Sequence, residues 1–306
     1  MSTLQHKIDF AVIFRVTNAN PNGDPLNGNR PRTDYANFGE VTDVAIKRKL
    51  RDRLLEMWVA KVKENEGNQI KDNKDDGGQI FVQSDDRRID EYRSLRERFE
   101  KELGKEAGGP NTFDLVCKKW LDVRAFGQVF AYKAATAKKA TKKTEDDGDS
   151  QGDTGVSIGV RGPVTVHSAF SVEPIEVSST QITKSVSGEG DGSKRGSDTM
   201  GMKHRVDRGV YKFFGSMNPQ LAEKTKFTDT DAQAIKAVLP RLFENDESSA
   251  RPAGSMQVLN VIWWEHNCKS GQYSSARVHG SVTVNPDGSF DLHVLEGLTP
   301  EVIQGF

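Results

Sequence analysis

The chain has 306 residues, of which 35% are hydrophobic and 28% charged, and its formal net charge is −1. That length suits one large domain with insertions or two ordinary ones. The near-zero charge argues against polyanion binding through bulk attraction, so any nucleic-acid contact must come from local clusters.

Cys117 and Cys268 stand far apart and outside any CxxC, which argues against a disulfide framework or a zinc site and fits a reducing cytosol. The opening residues Met1 to Lys7 lack the apolar run of a signal peptide. No stretch of about 18 apolar residues is present to cross a bilayer. The expectation is a soluble, cytoplasmic protein with no membrane partner.

Ile8, Phe10, Val12, Phe14 and Val16 alternate with other residues, the period of a half-buried strand. A turn-rich loop, Asn18 to Asp34, follows it. A helix is predicted from about Thr42 to Asn65, capped by Thr42, with Asp43 complementing its dipole. Ile46, Leu50, Leu54, Met57 and Trp58 form its apolar stripe. Strand, loop and long helix make the first half of a ferredoxin-like βαβ-βαβ unit, a plan used by many RNA-binding domains.

Residues from Glu66 to about Lys119 are polar and interrupted, with a helical stretch at Asp90 to Glu102, and read as an insertion. Lys133 to Asp153 is lysine-rich, then acidic, and predicts a mobile loop. Strand-like runs resume at Val156 to Ile182, and Ser185 to Ser197 has the composition of an exposed hairpin tip. Thr228 and Asp231 form a capping box for a helix that runs through Glu244 with a kink at Pro240. Val258 to Trp264 is a strand, and Phe290, Leu292 and Val294 alternate after the turn Asn285 to Gly288. The fold class is α+β with a long polar insertion.

Three clusters carry chemistry. Gly23 and Gly28 have Walker A spacing, but Asn29-Arg30 stands where Lys-Ser or Lys-Thr is needed, which argues against nucleotide hydrolysis. The loop is then either an ordinary turn or a phosphate cradle in which Arg30 and Arg32 flank exposed amides. Lys47, Arg48, Lys49, Arg51 and Arg53 crowd the start of the helix, and Lys47, Arg48 and Arg51 share a face. Like charges at that spacing repel and oppose the dipole, so the cluster costs stability unless an anion neutralises it, which favours phosphate contact over a solvated face of snorkelling side chains. Residues 194–212 hold six Lys/Arg against two acids, with methionines interleaved. That composition suits a hairpin wedged between nucleotides, or one whose methionines pack on its own body. The six histidines show no metal-ligand spacing and no GxSxG elbow occurs. Neither a catalytic set nor a cofactor is expected.

Taken in order, Asn20-Pro21-Asn22-Gly23-Asp24 through Arg32, Val41-Thr42-Asp43-Val44 and Lys47-Arg48-Lys49 resemble a known family. Val123 to Gly127, Val160 to Val164, Gln181-Ile182-Thr183 and Met200 to His204 agree with it. The family is the CRISPR-associated Cascade backbone subunit of the RAMP superfamily, most like that of type I-C systems. Lys184 stands where an arginine is usual there, and Arg251-Pro252 replaces a commoner Arg-Gly.

The resemblance implies a modified RNA-recognition fold shaped like a hand. Palm would be 1–66, 120–170 and 209–306, with the loop 133–155 in it; fingers would be 67–119 and a thumb hairpin 171–208. It implies a non-catalytic protein that binds crRNA beside further copies of itself and other Cascade subunits, and supports target DNA recognition. The RNA-contacting residues implied are Asn20, Arg30, Arg32, Lys47, Arg48, Lys49, Arg51, Arg161, Lys184, Met200, Lys203 and His204. Target DNA would meet Lys138, Lys139, Lys142 and Lys143. The rival reading is an RNA endonuclease on the related fold, which needs a positioned acid or histidine at the cut.

Overall fold

A computed structural model describes residues 2–66, 77–132, 156–183 and 200–306. The first strand, β1 (Ile8–Ala19), leads to a short ribbon of β2 (Gly23–Asp24) and β3 (Arg30–Pro31), then to β4 (Phe38–Val41) and the long helix α1 (Asp43–Glu66). Helices α2 (Leu95–Leu103), α3 (Thr112–Lys119) and α4 (Leu121–Phe126) precede the hairpin of β5 (Gln128–Tyr132) and β6 (Val156–Val160). Next come β7 (Val164–Val166), β8 (Ala169–Pro174), β9 (Val177–Thr183) and the 18-residue β10 (Met200–Met217). Helices α5 (Pro219–Thr225) and α6 (Asp229–Val238) lead to β11 (Met256–Glu265). The chain closes with α7 (Ser275–His279), β12 (Val282–Val284), β13 (Phe290–Leu292) and β14 (Glu301–Gln304).

The main sheet runs β14-β11-β1-β10-β8-β4, with every neighbouring pair antiparallel; β7 and β9 also pair with β10. Within it β11, β1, β10 and β8 lie side by side, which is fourth, first, third and second in chain order. Helix α1 follows β1, and α6 sits between β10 and β11.

Strand β1 is buried on both faces, which corrects the half-buried expectation. Phe10, Val12, Phe14 and Val16 meet Ile46, Leu50, Leu54 and Trp58 of α1 and Ile235 of α6. On the other face Ala11 and Ile13 lie under Val278, Val282, Val284, Leu295 and Leu298. The residues between the large apolar ones are themselves partly apolar, and the C-terminal segment supplies their cover.

A buried polar joint pins that cover to the sheet. Asp9 on β1 accepts from His266 Nε2 at 2.9 Å and lies 3.2 Å from His279 Nε2 and 3.1 Å from Lys7 Nζ. His266 Nδ1 accepts the Gln272 N–H at 2.9 Å, so its proton is on Nε2, facing Asp9. Burial alone would raise the Asp9 carboxyl, but the His266 hydrogen bond, the neighbouring His279 and Ser275 side chains and the Lys7 charge hold it well below the usual carboxylate range.

Helix α1 begins as its sequence predicts: Thr42 Oγ1 accepts from Ala45 N at 3.3 Å. Met57, assigned to the stripe, is 37% exposed, while Leu55 and Val62 are buried. The predicted Asp90–Glu102 helix starts only at Leu95, because Ser94 caps it and Asp90 holds Arg98 from outside it. The insertion is also less irregular than its polarity suggests. Phe81, Phe99, Val116, Cys117, Trp120, Val123, Phe130 and Val160 form a core of their own, drawn from both sides of residue 119.

The capping box at Thr228 and Asp231 forms, but α6 ends at Val238 and does not continue, kinked, to Glu244. Pro240, lacking an N–H, sits in a tight turn, Leu239–Arg241. Val294 lies beyond β13 and is 95% exposed, so the predicted alternation stops at Leu292. Among the described residues no helix is long and apolar enough to cross a membrane.

Candidate nucleic-acid interface

The loop after β1 is a braced structure. Asn20 Nδ2 donates to the Asn29 carbonyl at 2.7 Å, and its own N–H donates to Ala250 O at 2.9 Å. Asn22 Oδ1 accepts from both the N–H and the hydroxyl of Thr42, each at 3.0 Å, which fixes the loop to the start of α1. Gly28 and Asn29 take consecutive left-handed conformations, with φ of 57° and 58°. The ribbon pairs Asp24 with Arg30, and Arg32 forms an ion pair with Asp24 at 3.3 Å. Asn20 itself is buried, so it shapes the loop from beneath.

From this loop Arg30 reaches the hairpin of β9 and β10. Arg30 Nη2 donates to Ser179 Oγ at 3.2 Å, and the same oxygen lies 2.8 Å from His204 Nδ1. Ser179 faces His204 in the register, Gln181 faces Met202 and Thr183 faces Met200, so these pairs share one side of the ribbon. Met200, Met202 and Ile182 are 58%, 56% and 49% exposed, and Lys203 is exposed. The methionines are therefore more than half exposed, and Met200 Sδ accepts from Gln181 Nε2 at 3.1 Å on the facing strand.

The helix cluster divides. Arg48 is 61% exposed and pairs with Asp86 at 3.1 Å, and Lys47 pairs with Asp43 at 3.0 Å. Lys49 is buried against Asp246, beside Arg251. Burial lowers the Lys49 ammonium pKa, and the Asp246 charge opposes that shift. Arg51 donates to Asp122 at 2.9 Å and covers the Phe126 ring, with Asp122 also accepting from Phe81 N and Val82 N. The expectation that Lys49 and Arg51 lie along RNA does not fit this placement. Asp43 and Asp52 of the helix itself and acids distant in sequence, at 86, 122 and 246, supply the neutralising anions.

Arg161 is exposed on the link between β6 and β7. Two glycines set that link. A Cβ on Gly162 would overlap the Ala125 carbonyl, and one on Gly127 would overlap the Val160 carbonyl, so the two backbones touch directly. Arg124, in the first of these segments, is buried and donates to Asp231 at 2.9 and 2.6 Å, tying α4 to α6. Lys184, Lys138, Lys139, Lys142 and Lys143, the loop 133–155 and the tip Ser185 to Ser197 lie outside the described residues. Among the described residues no group of three or more His, Cys, Asp or Glu side chains could hold a metal ion.

Sequence reasoning missed Ser179. It lies in the polar run Ser178-Ser179-Thr180, and only the strand register decides which hydroxyl meets His204.

Fold and site together define an α+β protein whose exposed cations gather on a braced loop, a helix start and a projecting hairpin. The chain belongs to the family of CRISPR-associated protein Cas7, whose model matches residues 6–296. The CRISPR-associated protein Cas7 of Haloferax volcanii is 24% identical over 99% of this chain and 82% of its own length. A chain of a CRISPR RNA-guided surveillance complex, pre-nicking, superposes with a TM-score of 0.47, covering 84% of this chain and 78% of that one at 17% identity. A second, from a CRISPR RNA-guided surveillance complex, gives 0.43, with 92% and 77% covered at 16% identity.

Proposed function

We propose that this Cas7-family chain is the crRNA-binding backbone subunit of a Cascade-type surveillance complex in CRISPR defence, acting by binding and not by catalysis. The observation that carries the reading is the junction of Arg30, Ser179 and His204, where loop and hairpin present donors at one place. Arginine and histidine donors beside a braced backbone suit phosphate oxygens, which fix register without reading sequence. The strand order of β11, β1, β10 and β8 supports an RNA-recognition-like palm, and the projecting β9–β10 ribbon supports a thumb. The insertion with its own core supports a fingers unit.

On this reading Arg30, Arg32, Lys47, Arg48, Arg161, Lys203 and His204 follow the RNA backbone, with Lys184 as a further contact. Met200 wedges against bases. A hairpin that reaches a neighbouring copy makes a head-to-tail interface, which extends into an open array with the guide as its ruler. Other Cascade subunits close the ends, and the complex works in the cytoplasm. Lys138, Lys139, Lys142 and Lys143 meet target DNA through unscreened charge.

The test is to mix the purified protein with single-stranded RNA of fixed length and measure mass by sizing and light scattering. The expected result is several copies per strand, in a number that grows with RNA length. Absence of binding at low salt would remove the reading.

A further inference from the structure

Two turns, one before and one after Arg30 in the chain, each carry a large hydrophobic side chain left in water. Leu26, at the tip of the β2–β3 ribbon, is 98% exposed, and Tyr35, on the next turn, is 110% exposed. The Tyr35 turn is stiff. Asp34 Oδ1 accepts from Ala36 N and Phe38 N, both at 2.9 Å. Asp34 N donates to Phe38 O at 2.9 Å, Asn37 N donates to Asp34 O at 3.2 Å, and Thr33 bridges Gly39. Asn37 takes the left-handed conformation that closes the turn, with φ of 64°.

Turn chemistry accounts for Asp34 and Asn37, but it gives no reason for an aromatic at 35. Packing gives none either, since Tyr35 belongs to none of the three core clusters. The surroundings are polar. Thr33 and Asn37 from this turn, Asn27 and Arg30 from the ribbon, and Ile175 and Val177 at the foot of β9 line an open cavity of about 330 Å³. Asp24 and Asp34, the acids of these two hairpins, accept from backbone N–H groups, and Asp24 also pairs with Arg32. Arg30 is the cation that lines this cavity together with Thr33 and Asn37 of the Tyr35 turn.

A protein partner is a poor match, because protein-docking surfaces are contiguous apolar patches of a few hundred Å². Here two isolated side chains stand on narrow turns among asparagines. An exposed ring on a hydrogen-bonded turn, with a guanidinium lining the cavity that this turn also lines, instead has the chemistry that takes an unpaired base. Every base offers a π-face, so stacking is tolerant of sequence, and the guanidinium serves the neighbouring phosphate.

We propose that Tyr35 is a stacking platform for an unpaired nucleobase of the bound strand, with Arg30 on the adjoining phosphate. This rests on the RNA-binding reading above. The test compares wild type, Tyr35→Ala, Tyr35→Phe and Tyr35→Trp on two single-stranded RNAs of equal length, one intact and one carrying abasic sites, over a range of salt. On intact RNA, Tyr35→Ala should weaken binding on the order of tenfold with an unchanged salt slope, while Phe and Trp preserve affinity. On abasic RNA the Ala variant and wild type should converge. All variants should melt with wild type, since the ring is fully exposed.

Wild type that ignores intact RNA would sink the RNA-binding reading itself. Wild type that binds, with the Ala variant binding equally well, would overturn the stacking role alone. Loss of self-association in the Ala variant without RNA, at unchanged affinity for a short oligonucleotide, would overturn it in favour of a protein contact.

Discussion

Arg30 and His204 share one hydroxyl: Arg30 Nη2 donates to Ser179 Oγ at 3.2 Å, and that oxygen lies 2.8 Å from His204 Nδ1. Arginine only donates, so the serine oxygen accepts from it and meets Nδ1 through its proton or its second lone pair, according to the tautomer. The His204 ring is held by this contact at Nδ1. Two segments 174 residues apart, the loop and the distal strand of the hairpin, thus form one donor surface.

Ser179→Ala should loosen that surface without removing a charge. RNA affinity should fall by a factor of about 2 to 10, the range of one net hydrogen bond of about 0.5–1.5 kcal/mol. The log–log salt slope should stay at its wild-type value, whereas Arg30→Ala should reduce it by about 0.7. Equal slopes for the two variants, read by titration at four or more salt concentrations, would remove Arg30 from the phosphate contacts.

The helix cluster offers a sharper contrast. Arg48→Ala, at an exposed site, should reduce the salt slope by about 0.7 and leave the melting temperature nearly unchanged. Arg51→Ala should do the reverse. It leaves the buried Asp122 carboxylate without its guanidinium, at a cost of about 3–5 kcal/mol in stability. Lys49→Ala should also destabilise the fold, by less, because Arg251 still pairs with Asp246. Urea unfolding of the three variants checks the order.

The Asp9 joint makes stability depend on pH. Its folded pKa lies below the unfolded value of about 3.9, so the stabilisation is fully present above that value and disappears as pH falls toward the folded one. Asp9→Asn should therefore lower stability most at neutral pH. The gap from wild type should narrow steadily below about pH 4. A constant gap across denaturant titrations from pH 7 to pH 3 would show that the joint acts through packing alone.

The two cysteines should react unequally. Burial pushes the Cys117 thiol up to about 12, so it carries almost no thiolate at neutral pH. Cys268 is only half-buried. Alkylation at pH 8 followed by mass mapping should label Cys268 first and reach Cys117 only with denaturant. Early labelling of Cys117 would mean that the core of the insertion opens under native conditions.

Local rules reached far into this chain. The 3.6-residue spacing from Ile46 to Trp58 and the Thr42 cap placed α1 within a residue of its observed bounds, because both signals are contained in the helix itself. The Thr228–Asp231 box did the same for the start of α6. Alternation at Ile8 to Val16 identified β1, but one strand's period cannot report what covers its second face. That cover came from Val278 to Leu298, more than 250 residues away. The polar composition of the insertion likewise hid a core, since its eight buried residues are dispersed over about 80 positions and show no single period.

Sequence by itself determined the basic groups, the turn chemistry of the Asn18 to Asp34 loop, and the ordered motifs that place the chain among Cas7 proteins. Tertiary structure alone decided which cations remain accessible. Lys47, Arg48, Lys49 and Arg51 are consecutive or nearly so on one helix, yet Lys49 and Arg51 are sunk against Asp246 and Asp122 while Arg48 stands in water. A charge's fate depends on the acid that folding brings beside it, and those acids lie 71 and 197 positions along the chain. The same is true of Ser179, whose role follows from strand register, a pairing between segments that no local pattern encodes.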